Sequence, residues 1–265
     1  MPPEGGTDGS PRASGFFTGH QEAESMLASA WQGGKMPHAW LIAGPKGIGK
    51  ATLCYRLARC VLAGWQEGSL DMTQSDMFSL KGNAPVQPSF APLPPSHPVF
   101  RRIAAGSHGD LLVLEMKDGK DITVEEARKI AAFLRLTPSE SAWRVVIIDS
   151  VDHMNRNAAN AILKILEEPP ANALLLLVSH MPGKLLPTIR SRCRMLRLSP
   201  LAQPEFETVL SRIAPDMDKS MYTAFYRITG GSPGLALELH AQGALGYYET
   251  LVQILGAWST PDLMA

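Results

Sequence analysis

The stretch that most constrains this chain is residues 39–52, where an apolar run of strand length leads into the turn Gly44-Pro-Lys-Gly-Ile-Gly-Lys50 and then into a helical pattern. This is the context of a phosphate-binding loop. Glycines turn backbone N–H groups inward, a lysine reaches the outer phosphates, and the helix N-terminus favours negative charge. The pattern predicts phosphate binding by Gly44, Gly47, Gly49 and Lys50. An ordinary tight turn between a strand and a helix is the alternative.

The loop departs from the motif at the metal-binding position. The motif asks for Ser or Thr after the lysine, to bind magnesium, and this chain has Ala51 there. Thr52 comes next, but one helical residue turns the side chain by about 100°. Thr52 is therefore not expected to replace the missing magnesium ligand, and we expect magnesium to be poorly held. Thr52 remains a candidate nucleotide-binding residue.

Periodicity along the rest of the chain predicts an α/β fold. Buried-strand patterns alternate with helical patterns up to residue 200, which predicts a parallel sheet covered on both faces by helices. The strand patterns lie at residues 38–43, 110–114, 144–149, 174–179 and 195–198. Beyond Ser199-Pro200 only helical patterns follow, at about 204–213, 218–228, 233–241 and 245–257.

These patterns divide the chain into segments. Residues 1–18 are rich in Pro, Gly and Ser and are expected to form a disordered tail. Residues 19–200 form the α/β domain, and residues 201–265 form a small helical domain. Within the first domain, residues 64–107 carry six prolines between Pro85 and Pro98 and are expected to be a surface insertion without regular structure.

Asp149 is the candidate acidic group, because it ends an apolar strand as the magnesium-organising aspartate of P-loop ATPases does. The following residue is Ser150, where ATPases with a catalytic glutamate have Glu. Asp152 comes two residues later, and we expect its side chain to approach from another direction. A cap on the next helix is the alternative role for Asp149.

The segment Ser191-Arg192-Cys193 precedes the last strand. An arginine there could reach a phosphate in a neighbouring subunit, where guanidinium stabilises the charge of a phosphoryl group in transfer. A solvated surface arginine is the alternative. The nearby cations are open to two interpretations, a nucleic-acid surface or a solvated rim at a subunit interface. They are Lys184, Arg190, Arg194 and Arg197.

Composition excludes several classes of protein. Hydrophobic residues make up 45% and charged residues 19%, with zero formal net charge, so the whole chain is not an electrostatic nucleic-acid binder. The three cysteines, Cys54, Cys60 and Cys193, lack paired ligand spacing and do not support a zinc site or a disulfide framework. No apolar run reaches the roughly 20 residues of a membrane span. We expect a cytoplasmic protein without a membrane partner.

Four stretches together resemble the clamp-loader branch of the AAA+ ATPases. They are Gly19-His-Gln21, the loop from His38 to Lys50, Asn157-Ala-Ala-Asn-Ala-Ile-Leu-Lys-Ile-Leu-Glu-Glu-Pro-Pro170, and Leu186-Pro-Thr-Ile-Arg-Ser-Arg-Cys193. The resemblance implies a RecA-like nucleotide domain, a helical lid, and a collar that closes a hetero-oligomeric ring. Such rings load a sliding clamp onto primed DNA. The implied partners are other clamp-loader subunits and, through the complex, the clamp and the DNA.

The resemblance also implies roles for individual residues. Arg192 would be an arginine finger that completes the ATP site of an adjacent motor subunit. Ser179 or His180 would lie at the first sensor position. An active motor would carry Thr or Ser at 51, Glu at 150 and an arginine near 234, where this chain has Gly234.

Three losses beside a retained finger imply a subunit that assists its neighbour and hydrolyses little or no ATP itself. ATP would then bind weakly or without turnover. The alternative is an active P-loop ATPase of the motor type, and a small-molecule kinase fits the helical second domain poorly. Relatives often carry a four-cysteine zinc module after the loop helix, which Cys60 alone does not support. The collar would begin near residue 260, so we expect it to be absent from this chain.

Overall fold

The computed structural model describes residues 10–64, 92–116, 119, 121–244, 246–248, 250 and 254. The chain divides into two compact units. The first contains Met1–Pro45 and Gly49–Ser199, and the second contains Lys46–Ile48 and Pro200–Ala265. The tip of the glycine-rich loop is thus part of the second unit.

The first unit contains a five-stranded parallel sheet, as the alternating patterns predict. In chain order its elements are α1 (Gln21–Gln32), β1 (Ala39–Ala43), α2 (Lys50–Leu62), α3 (Pro98–Ala104), β2 (Leu111–Glu115), α4 (Val124–Arg135), β3 (Arg144–Asp149), α5 (Arg156–Glu167), β4 (Ala173–Ser179), α6 (Pro187–Arg190) and β5 (Arg194–Arg197). The strand order is β2-β3-β4-β1-β5. This order places β1 and the loop that follows it between the C-terminal ends of β4 and β5.

The central strands are almost continuous apolar runs because both of their faces are covered. Every residue of β1 and β4 is buried, as are the first five of β3. The register pairs Leu41 with Leu177 and Ile148 with Leu177, so the strands end together at one edge. The side chains that follow β1, β3 and β4 therefore lie at the same edge of the sheet.

Two helices that cover the sheet begin with side-chain caps. Thr123 and Glu126 form a capping box at α4: the Thr123 hydroxyl accepts from the Glu126 N–H, and the Glu126 carboxylate accepts from the Thr123 N–H at 2.9 Å. At α5 the Asn155 side chain accepts from the Ala158 N–H at 2.9 Å. Both helices bury one apolar face in the core beneath them, which includes Ile130, Ile162, Leu166, Leu175 and Leu177.

The expectation of an unstructured segment up to residue 107 is wrong for its last part. Residues 98–104 form α3, with Pro98 at the first helical position and the His97 imidazole accepting from the Val99 N–H. Val99, Phe100 and Ile103 are buried. Proline blocks a helix interior but suits a first turn, which is why Pro98 starts a helix here. Residues 65–91 of the insertion lie outside the described residues.

Residues 10–18 also differ from the expectation of a disordered tail. They begin with a turn in which the Ala13 and Ser14 N–H groups donate to the Ser10 carbonyl, each at 3.1 Å. Arg59 of α2 then donates to the carbonyls of Arg12 and Ser14. These backbone groups are satisfied by a buried guanidinium, which gives the segment a defined path. Residues 1–9 lie outside the described residues.

The described part of the second unit after Pro200 consists of helices and their connections. It contains α7 (Gln203–Ile213), a short 3₁₀ turn, α8 (Tyr222–Thr229) and α9 (Pro233–Ala241). Its core is a cluster of mostly apolar side chains, consisting of Leu201, Phe206, Leu210, Met217, Tyr222, Phe225 and Ala236. The helix predicted at 245–257 falls mostly outside the described residues.

Candidate functional site

The phosphate-type loop has the backbone that its glycines predict. Gly47 has a φ of 79° and Gly49 a φ of 98°, the left-handed region that favours glycine. Gly49 also stands at the N-cap of α2, where no side chain satisfies the first N–H groups of the helix. The Gly44 N–H donates to the Ser179 carbonyl at 3.2 Å, which ties the loop to the end of β4. The turn therefore has the form of an anion-binding nest.

Lys50 is folded back onto this loop. Its Nζ donates to the carbonyl oxygen of Gly44 at 2.7 Å and also to that of Pro45. The residue is only 3% exposed. Burial lowers the pKa of Lys50 to about 8, although the negative charges of Asp149 and Asp152 oppose that shift. The ammonium group thus lies within the loop and is held by backbone carbonyls.

Asp149 lies at the end of β3, close enough for its charge to act on Lys50. Burial raises the pKa of Asp149, and the Lys50 ammonium partly offsets this. The neighbouring positions supply few metal ligands: Ala51 has no side-chain oxygen, and the Ser150 hydroxyl is buried without a hydrogen-bond partner among the described residues. Thr52 is half-buried on α2. Ala51 therefore leaves the position after Lys50 without an oxygen ligand for magnesium.

Asp152 has a role that the sequence did not reveal. Its carboxylate accepts from the Ser179 hydroxyl at 2.7 Å and from the backbone N–H groups of His180 and Met181. Ser179 is fully buried and ends β4. The side chain expected at the first sensor position is thus bound within the chain to an acidic residue that follows β3. Only the order of the strands brings these two positions together.

The loop tip makes close backbone contacts within the second unit. The Ser232 hydroxyl donates to the Lys46 carbonyl at 2.6 Å, and the Gly234 N–H donates to the Gly47 carbonyl at 2.8 Å. A Cβ atom at Gly47 would lie 2.5 Å from the Ser232 Oγ, and one at Gly234 would lie 2.8 Å from the Gly47 Cα. Lys46 and Glu238 add an ion pair at 2.8 Å. Gly234, where a motor subunit is expected to carry arginine, is thus in tight contact with the loop.

The N-terminal segment covers the start of α2. A ring carbon of Phe17 lies 3.5 Å from the position that a Cβ of Gly49 would take. Arg59, 4% exposed, lies 4.0 Å above the Phe100 ring while donating to the segment's carbonyls. Burial lowers the pKa of Arg59 to about 10. These contacts place an aromatic side chain beside the helix N-terminus where phosphate is expected.

Arg192 lies between the short helix α6 and the start of β5, whereas the loop follows the other end of the neighbouring strand β1. Its Nη2 lies 2.8 Å from a carboxylate oxygen of Glu167, and its Nη1 donates to the Thr188 carbonyl at 3.0 Å and contacts the Ser191 hydroxyl at 3.3 Å. The Arg192 side chain remains 34% exposed. All four nearby cations are exposed; they are Lys184, Arg190, Arg194 and Arg197.

Among the described residues, no group of three or more His, Cys, Asp or Glu side chains is arranged to hold a metal ion. The three cysteines are free thiols, with Cys54 and Cys60 buried and Cys193 half-buried. Burial raises the pKa of Cys60 and of Cys193 to about 12. In the same part of the chain, no helix is long and apolar enough to cross a bilayer.

A phosphate-type loop after β1, a parallel sheet of this strand order and a following helical unit define the AAA+ class of P-loop proteins. A solved structure agrees on the fold: a RuvB variant from Thermotoga maritima covers 91% of this chain with a TM-score of 0.50, at 15% identity and over 65% of its own length. The family described as DNA polymerase III, delta subunit, matches residues 95–202.

Two relatives in sequence are subunits of DNA polymerase III. The DNA polymerase III subunit delta' of Pseudomonas aeruginosa is 35% identical over 78% of this chain. The subunit gamma/tau of Mycobacterium tuberculosis is 28% identical over 96% of it. Over most of its length the chain is thus similar to delta' subunits of DNA polymerase III. It spans 56% of the length of the delta' relative and 41% of the gamma/tau relative.

Proposed function

We propose that this chain is a delta'-type subunit of the DNA polymerase III clamp loader, which helps to load the sliding clamp onto primed DNA. Its partners would be the gamma/tau and delta subunits in a hetero-oligomeric ring, with clamp and DNA contacted through the complex. Residues 19–200 would act as the AAA+ domain and residues 201–265 as its lid, in the cytoplasm. The sequence identity of 35% to a delta' subunit over 78% of the chain supports this assignment.

We infer that Arg192 acts as an arginine finger in a neighbour's ATP site. One contrast carries the inference. Ala51 provides no metal ligand in the chain's own loop, whereas Arg192 is partly exposed and precedes β5, at the edge of the sheet opposite to that loop. ATP bound to the neighbouring subunit would supply the phosphoryl group. Arg192 would donate hydrogen bonds from its N–H groups to the oxygens of that phosphoryl group and offset their negative charge. The chain's own loop would hold phosphate weakly through Gly44, Gly47, Gly49, Lys50 and Thr52.

The test is the DNA-stimulated ATPase of the complex assembled with gamma/tau and delta. Arg192→Ala is expected to lower turnover at the neighbouring site by about 10³- to 10⁵-fold, the usual loss for a finger. Arg135→Ala, at an exposed arginine in the last turn of α4 and outside the cations near Arg192, is the control and should leave the rate unchanged. A complex that keeps full activity with Arg192→Ala refutes the finger.

The alternative is an active P-loop ATPase of the gamma/tau type. The similarity to a gamma/tau subunit over 96% of the chain and the presence of Lys50 favour it. It predicts hydrolysis by the purified chain that Lys50→Ala abolishes, whereas the delta' assignment predicts little or none. Titration of ATP with and without magnesium separates them further, because Ala51 predicts binding that magnesium does not strengthen.

A further inference from the structure

The Arg192 guanidinium is held from two sides by its own chain. Thr188 and Ser191, from α6 and its end, accept from Nη1 at 3.0 and 3.3 Å. Glu167, the last residue of α5, accepts from Nη2 at 2.8 Å. The carboxylate therefore comes from a different helix, and it is the only negative charge paired with this guanidinium among the described residues.

The ion pair is open to solvent. The side chain of Arg192 is 34% exposed and that of Glu167 is 48% exposed. Exposed pairs of this kind shift an equilibrium by only about 1.4- to 5-fold, and salt screens them. The pair can hold the guanidinium in one position and still open readily.

Carboxylate and phosphate compete for the same donors. Both accept from the planar fork of a guanidinium, and a neighbouring carboxylate also reduces the positive charge that the guanidinium offers. We propose that Glu167 is a positioning residue that holds Arg192 within the free chain and releases it when the neighbour's phosphoryl group arrives. This inference rests on the proposed role of Arg192 as a finger.

The test uses the assembled complex with Glu167→Gln, because glutamine keeps an acceptor oxygen and removes the charge. We expect kcat/KM for ATP to rise by about 1.4- to 5-fold, because the variant removes the ion pair that holds Arg192 in the free chain. Glu167→Asp keeps the charge and should restore a rate near wild type. Glu168→Gln is the matched control: an adjacent, exposed glutamate for which no contact with Arg192 is described.

Salt gives a second readout that a purely structural role would not move. The ratio of the Glu167→Gln rate to the wild-type rate should fall toward one between about 0.1 M and about 1 M salt, as the screening length shortens from ~10 Å to ~3 Å. A Glu167→Gln complex that is slower than wild type, or equal to it at low salt, overturns the proposal. If Arg192→Ala has no effect, the finger itself falls; if only Glu167→Gln has none, the finger stands and Glu167 is excluded.

Discussion

The backbone N–H of Gly234 donates a 2.8 Å hydrogen bond to the carbonyl of Gly47, so the start of α9 and the tip of the glycine-rich loop meet without side chains between them. A Cβ atom at position 234 would lie 2.8 Å from the Gly47 Cα, closer than real Cβ contacts come. Glycine at position 234 therefore accounts for two observations at once: the arginine expected in a motor subunit is missing, and the backbone can contact the loop. Glycine is what allows the contact.

The first prediction concerns Gly234→Ala. In a helix, replacing glycine by alanine normally stabilises by about 0.8–1 kcal/mol. Here we expect the opposite, a loss of about 1–3 kcal/mol in the free energy of unfolding, because the methyl group meets backbone that cannot move aside cheaply. Urea denaturation measures it. Gly246→Ala, where a Cβ meets nothing within 4 Å, is the control. Equal denaturation midpoints for the two variants would show that the close contact at Gly234 does not affect stability.

The second prediction concerns pH and Lys50. Because burial lowers the pKa of Lys50 to about 8, the free loop loses its positive charge as pH rises through that value. Affinity for a nucleotide should stay level below pH 8 and fall by up to about tenfold per pH unit above it, until the bound lysine also titrates. Titrations of ATP without magnesium between pH 7 and about 9.5 test this. Lys50→Met should bind weakly with no such slope, and a slope that survives in Lys50→Met would assign it to another group.

The third prediction concerns Asp152→Asn. The amide can keep its oxygen toward the Ser179 hydroxyl and the Met181 N–H, but it then turns a donor toward the backbone N–H of His180. We expect a loss of about 1–3 kcal/mol in the free energy of unfolding and faster hydrogen exchange at residues 180 and 181. Asp216→Asn, at an exposed aspartate with no described side-chain contact, should change neither. Unchanged exchange in Asp152→Asn would show that the carboxylate does not hold this turn.

Lys50 and Asp152 differ in how much of their structural role can be predicted from the sequence. The spacing of Gly44, Gly47, Gly49 and Lys50 is local, so the loop and the helix after it could be predicted from order alone. Asp152 meets Ser179 across 27 positions, and that contact depends on β3 and β4 lying side by side in register. Periodicity predicts that strands exist and are parallel, but it contains no information on which strands are neighbours.

The fourth prediction concerns Arg59→Lys. Lysine cannot donate to the Arg12 and Ser14 carbonyls together while stacking on the Phe100 ring. We expect the free energy of unfolding to fall by about 2 kcal/mol and limited proteolysis to gain a cleavage site within residues 10–17. Arg101→Lys, exposed on α3, is the control. Cleavage of both variants at the wild-type rate would mean that Arg59 does not anchor the segment.

Composition misled the sequence prediction where tertiary contacts override it. Residues 10–18 and 92–104 are rich in Pro and Ser and carry little periodicity, yet Arg59 and the apolar side chains of α3 order both against α2. The available signal was the position of Arg59, which stands at helical spacing from Tyr55 and Leu62 and therefore on a face of α2 that the sequence predicts to be buried. Such a group needs carbonyl partners that the helix itself cannot supply.

The sheet ends at β5, and within the described residues no strand pairs with its outer edge. This short strand carries Arg194 and Arg197, both exposed, at its two ends. A second copy that tried to extend the sheet through this edge would bring arginines against arginines, and like charges on facing strands repel. Self-templated strand addition, the first step of aggregation for an open sheet, is thereby disfavoured while the chain is free of other subunits.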